Sequence, residues 1–122
     1  MSNRRMSLSG EGKEILDHVA DSLELERPMT VKIALAKGLS VSNGPINDDF
    51  PDVKNKWVIP EGIIKDKEFI LFKHLIVNEV GIPLNDAELH KHMLSYIEVG
   101  LRNLKKDISE KTSMEDLRIA IL

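Results

Sequence analysis

The chain has 122 residues, which suits one domain, residues 1–122, with a modest hydrophobic core. Its 17 Lys and Arg residues against 20 Asp and Glu residues give a net charge of −3, which excludes the general basic coat of many nucleic-acid-binding domains. The absence of cysteine excludes disulfides and thiolate metal sites. The sequence has no apolar run of about 18 residues and no signal-peptide pattern, so we expect a cytoplasmic protein without membrane partners.

The first predicted element is a short strand. Polar and apolar side chains alternate in the stretch Arg4–Leu8, which is typical of a strand with one buried face. Ser9, or Ser7, then offers an N-cap for an amphipathic helix that runs to about Leu25. Because an unpaired strand edge is unfavourable, we expect the strand to pair with the same strand of a second copy of the chain.

The second predicted helix begins at Pro28, ends before Gly38 and is apolar on nearly every face. Only Thr30, Lys32 and Lys37 interrupt its apolar surface. Such a helix must be covered almost all round, and one amphipathic partner is too little for that. A second copy of the chain is therefore predicted to cover it. The expected oligomer interface consists of Met6, Leu8, Val31 and Leu35.

Together, the strand, the amphipathic helix, the turn at Glu26–Pro28 and the buried helix resemble the ribbon-helix-helix unit of small DNA-binding dimers, over residues 3–40. The resemblance implies that paired strands lie in the major groove and that the second helix begins near phosphates. The candidate DNA-binding residues are Arg4, Arg5, Lys13, Arg27, Lys32 and Lys37. Each taken alone also fits a solvated surface charge. Lys32 differs because a charge on an apolar helix must reach water or meet an anion.

An irregular connector, residues 41–65, follows this unit and carries one turn signal after another. Its Trp57 is the only tryptophan of the chain, and we expect it to anchor the loop on the core in preference to stacking on a ligand. The helical part, residues 66–122, contains a helix that Gly81 ends and a long helix that Asn85 caps. A short terminal helix from about Ser113 completes a mainly α fold.

Two short motifs in separate parts of the chain resemble the DndE family of the bacterial DNA phosphorothioation system. One is Lys32–Leu35 in the second helix, where the family usually has arginine at the position of Lys32, and the other is His92–Leu101 in the long helix. The resemblance extends over most of the chain. It implies a non-catalytic accessory subunit that binds duplex DNA, nicked DNA in particular, as a homo-oligomer (a dimer or tetramer) beside the other subunits of the sulfur-modification complex.

The residues themselves give no sign of catalysis. The chain has no Gly-x-Ser-x-Gly elbow and no phosphate-binding glycine-rich loop. His90 and His92 are two positions apart on a helix and face different directions, while Glu88 and His92 alone are too few ligands for a metal. We therefore expect no enzyme, no catalytic residue, no metal and no cofactor. Two alternatives to the DNA-binding accessory stay open: a ribbon-helix-helix repressor with a C-terminal partner-binding region, and a protein–protein adaptor.

Overall fold

The structure of the chain is a computed structural model that describes residues 6–44, 46, 57–60 and 62–110. Within these residues the elements are β1 (Ser7–Leu8), α1 (Gly10–Leu23), α2 (Arg27–Val41), β2 (Trp57–Val58), α3 (Asp66–Val80) and α4 (Asp86–Glu110). The prediction of a mainly α fold with a short N-terminal strand is confirmed. The predicted terminal helix from Ser113 lies outside the described residues.

The capping residues explain where most helices begin and end. The Ser9 hydroxyl accepts a hydrogen bond from the Gly12 N–H at 2.9 Å and so caps α1 as predicted. Asn85 and Glu88 form the reciprocal capping box at the start of α4, with the side chain of each accepting from the backbone N–H of the other. Gly81, at φ 87°, ends α3 as expected.

One predicted boundary is wrong. Helix α2 continues past Gly38 to Val41, because this glycine lies inside the helix on the side that meets α4. There the missing side chain permits close packing of two helices, so Gly38 is a contact residue and not a C-terminal signal. Helix α2 packs chiefly on α4, and both of them also contact α1 and α3. The core lies between these helices and includes Leu16, Leu35, Tyr96 and Leu101.

Strand β1 finds its partner within the same chain. It pairs antiparallel with β2, with Ser7 opposite Val58 and Leu8 opposite Trp57. The Ile59 N–H extends the ladder by donating to the Met6 carbonyl oxygen at 2.8 Å. The prediction that this strand has no partner in its own chain is therefore wrong. The partner is missed because it is a two-residue strand inside the turn-rich connector.

The predicted oligomer interface needs a corresponding correction. Leu8, Val31 and Leu35 are 0% exposed in the single chain, so their side chains are not available to a second copy. Met6 is half-buried against the same core. The prediction failed because one chain covers more of α2 than its short length suggests, with α4 approaching very closely on one side and α1 and α3 packing on others.

Candidate nucleic-acid interface

The closest helix contact in the described chain brings together the two motifs Lys32–Leu35 and His92–Leu101. A side chain on Gly100 would overlap the carbonyl oxygen of Ala34, and one on Gly38 would overlap the carbonyl oxygen of Tyr96. Only glycine fits at either position, because a backbone carbonyl cannot move aside as a flexible side chain can. The motif in α2 and the motif in α4 therefore belong to one packing unit. Gly100 therefore marks a close helix–helix approach.

A buried carboxylate joins the start of α1 to α4. Glu98 is 2% exposed and accepts hydrogen bonds from the Ser9 N–H at 2.9 Å and the Ser9 hydroxyl at 3.2 Å. The Arg102 guanidinium donates to the same carboxylate at 2.9 Å and supplies the opposite charge. A buried carboxylate is tolerated only when it is paired and hydrogen-bonded in this way. The arrangement fixes β1 and α1 on the body of the protein.

Sequence reasoning missed Glu98 because a glutamate in a long helix is ordinarily solvated. A signal was present in the spacing. Arg102 lies four positions after Glu98, and Ile97 and Leu101 place the pair beside the apolar stripe of α4. What the sequence could not show was the contact of Glu98 with the distant Ser9, whose N–H and hydroxyl donate to it.

Two of the candidate DNA-binding residues lie together on the surface. The Arg27 Nε donates to the Asp17 carboxylate at 2.8 Å, and the Lys13 Nζ lies 3.7 Å from the other oxygen of that carboxylate. The Arg27 guanidinium also lies over the Trp57 ring, 5.6 Å from its centroid. These side chains come from α1, the first position of α2, and β2. We call Lys13, Asp17 and Arg27 the Asp17 cluster.

Trp57 serves as the expected anchor. Its ring is half-buried and packs against the hydrophobic core, while the Arg27 guanidinium covers it from outside. A cation over the face of an indole ring is a favourable electrostatic contact. The ring therefore helps to hold Arg27 in place and connects the Asp17 cluster to the core.

The other two described candidates connect helices within the chain. The Lys32 Nζ donates to the Glu68 carboxylate at 3.0 Å and links α2 to α3. Lys37 lies 3.1 Å from the Asp107 carboxylate and links α2 to α4. The hydrogen bond from Lys32 lowers the pKa of Glu68 below its usual value, against desolvation, which raises it, and with smaller lowering contributions from Lys65 and from the charge of Lys32. The anion that Lys32 was expected to meet is thus a carboxylate of its own chain.

The six candidates therefore divide into three groups. Arg4 and Arg5 lie outside the described residues. Lys32 and Lys37 are about three-quarters buried and each pairs with one carboxylate. Lys13 and Arg27 share a single carboxylate, so the Asp17 cluster has a net charge of +1 and well-exposed side chains.

No group of three or more His, Asp or Glu side chains in the described part of the chain could hold a metal ion. Two of the side chains that were considered as metal ligands and rejected have other roles. His90 Nδ1 lies 2.7 Å from the Asp86 carbonyl oxygen, and the ring packs at a tilt on Phe69. Glu88 belongs to the capping box of α4. Among the described helices, none has the length and apolar character to cross a membrane.

One helix leaves a large apolar surface uncovered. Phe72 and Ile76 of α3 are buried, whereas the opposite side of this helix exposes Ile70 by 55%, Leu71 by 57% and Leu75 by 44%. Leaving such half-exposed aliphatic side chains in water forgoes about 1 kcal/mol each relative to full burial. A contiguous apolar surface of this kind usually marks an interaction site. We define the α3 face as Lys67, Ile70, Leu71, His74, Leu75 and Asn78.

Comparison with known proteins gives no relative. No protein-family model, no curated protein and no solved structure matches the chain.

Proposed function

We propose that this chain is a non-catalytic DNA-binding accessory subunit of the bacterial DNA phosphorothioation system. It binds duplex DNA, nicked duplex in particular, as a homo-oligomer. The observation that carries the proposal is the contact between the two DndE-like motifs, Lys32–Leu35 and His92–Leu101, at Ala34 and Gly100. Residues that are far apart in sequence and meet at one glycine-dependent contact are more informative than two short motifs taken separately.

The Asp17 cluster is the described surface best suited to a phosphate backbone. The side chains of Lys13 and Arg27 are 37% and 45% exposed, and a surface ion pair is weak enough to exchange its carboxylate for a phosphate. Once released from Asp17, the Arg27 guanidinium can contact a phosphate through two of its nitrogens. Arg4 and Arg5 precede β1 in the sequence and would add cations to the same interaction.

This mode of binding has a clear energetic character. A protein of net charge −3 that uses a few local cations binds the phosphate backbone weakly, without sequence preference and with strong salt dependence. These are the properties expected of a subunit that recognises a DNA feature such as a nick.

The ribbon-helix-helix repressor is the second candidate. Such repressors read DNA with a ribbon formed by one strand from each of two copies. In this chain β1 already pairs with β2, and Leu8, which faces the core, is fully buried. We therefore place the sequence-independent accessory subunit first.

Fluorescence anisotropy with three end-labelled duplexes, at one fixed salt concentration, distinguishes the candidates. The duplexes are an intact random sequence, the same sequence with a single nick, and a palindromic sequence. The accessory subunit binds the nicked duplex most tightly and does not discriminate between the two intact ones. A preference of about 1,000-fold or more for one palindrome identifies a repressor. Binding to none of the duplexes refutes the proposal and leaves the adaptor.

A further inference from the structure

We propose that the α3 face binds the α3 face of a second copy of this chain, with the two helices antiparallel about a two-fold axis. The inference rests on the proposed function only in giving its homo-oligomer a surface. Self-association through α3 requires no DNA and can be tested without it.

Helix geometry places the α3 face on the side of α3 that points away from the core. At 3.6 residues per turn, the six residues of the α3 face span about 140° of the helix surface, on the side away from Phe72 and Ile76, which attach the helix to the core. The helix therefore has two apolar sides, and the described part of the chain covers only one of them.

The order of residues along the α3 face suits a two-fold axis. In an antiparallel pair centred between residues 72 and 73, Ile70 of each copy lies opposite Leu75 of the other. The same register places Leu71 opposite His74 and Lys67 opposite Asn78. Every apolar position on the face thus meets an apolar or half-apolar position, and the polar positions meet at the two ends. A two-fold interface needs exactly such a self-complementary patch.

The two copies also complement each other in charge. The last turn of α3, Val77–Val80, contains Glu79 and no basic residue, although a cation is favourable beside the negative C-terminal end of a helix. In the antiparallel pair, Lys67 of each copy lies beside this turn of the other copy. The second copy therefore supplies the cation that the helix lacks, and it does so twice.

The aliphatic side chains that the pair buries set the strength of the dimer. A two-fold pair covers the three half-exposed aliphatic side chains of the α3 face on both copies, six side chains in all. Once the entropy lost on association is subtracted, this apolar surface corresponds to a weak dimer with a dissociation constant of about 10 to 100 µM. A partner of a different kind would need a matching patch of its own, whereas a second copy of the chain already has one.

Sedimentation equilibrium of the full-length protein tests the inference over concentrations from about 5 to about 500 µM. The wild type passes from monomer to dimer in this range. Leu71→Glu places two like charges near the axis and raises the dissociation constant by about 100-fold, so that the variant stays monomeric. The matched control is Val41→Glu on α2, because Val41 is an exposed aliphatic residue outside the α3 face, 44% exposed against 57% for Leu71; this variant dimerises normally.

Disulfide cross-linking tests the same inference without placing a charge in the interface. The chain has no cysteine, so Leu71→Cys introduces a single thiol near the axis, and mild oxidation yields a disulfide-linked dimer. Val41→Cys under the same conditions does not. A wild type that is monomeric at 500 µM, or a Leu71→Glu variant that dimerises like the wild type, overturns the inference.

The same samples keep this inference separate from the proposed function. A monomer that binds nicked DNA in the anisotropy assay refutes the α3 dimer and the homo-oligomeric state, and leaves the DNA-binding function. A dimer that depends on Leu71 but binds none of the duplexes refutes the DNA-binding function alone.

Discussion

Removing the shared carboxylate of the Asp17 cluster should tighten DNA binding. In the wild type, Asp17 lies 2.8 Å from Arg27 Nε and 3.7 Å from Lys13 Nζ, and both cations must give up this partner to contact a phosphate. An exposed ion pair is worth up to about 1 kcal/mol. Asp17→Asn removes up to two such penalties and one charge that repels DNA. We expect affinity for nicked duplex to rise by about 3- to 30-fold at low salt.

The salt dependence gives an independent check of the mechanism. Each cation that is released to contact a phosphate should steepen the slope of log K against log salt by about 1. The matched control is Asp21→Asn, one turn further along α1. It removes the same exposed charge, but the Asp21 carboxylate pairs with no cation in the described part of the chain. Equal affinity and slope for Asp17→Asn and Asp21→Asn would refute the role of the Asp17 cluster.

Three further predictions concern the scaffold. Gly100→Ala should lower the free energy of unfolding, measured in urea, by about 2 kcal/mol, because the added methyl group overlaps the Ala34 carbonyl oxygen. This loss is expected despite a gain of about 1 kcal/mol in helix propensity. An unchanged free energy of unfolding would contradict the close contact between Gly100 and Ala34. Tyr96 is the only tyrosine, and burial together with the charge of Glu79 raises its pKa above 10.0. The free energy of unfolding should therefore fall as pH rises through the folded-state pKa of Tyr96. An ultraviolet titration of the folded protein with a midpoint below that of the denatured chain would exclude the raised pKa. Lys32→Met should raise the pKa of Glu68 towards its usual value, which carboxyl NMR measures. In the wild type, the lowered pKa of Glu68 stabilises the fold at pH values above the unfolded-state pKa. This stabilisation disappears as pH falls through the folded-state pKa.

The helices could be predicted from the sequence because their signals are local. The Ser9 cap, the capping box at Asn85 and the stop at Gly81 each act within a few residues, and all three occur in the structure. The partner of β1 could not be predicted in the same way. It is separated from β1 by about 50 residues and consists of Trp57 and Val58 alone, which is too short for an alternating pattern.

The surface candidates were harder to predict for a related reason. A lysine in a sequence carries no record of the carboxylate that will lie beside it, and Glu68 and Asp107 reach Lys32 and Lys37 only through the packing of α3 and α4 on α2. Among the described candidates, proximity in the fold brings together only Lys13 and Arg27. The α3 face was missed because an apolar stripe in a sequence does not reveal how much of it the rest of the chain will cover.

The account depends above all on recognition of nicked duplex DNA. The most direct measurement is a competition in which the protein, bound to a labelled nicked duplex, is displaced by unlabelled intact or nicked duplex of the same sequence. We predict that the nicked competitor displaces the label at a clearly lower concentration than the intact one, and that the difference is the same for unrelated sequences. Equal displacement by both competitors, or no binding to the labelled duplex at all, would contradict the account.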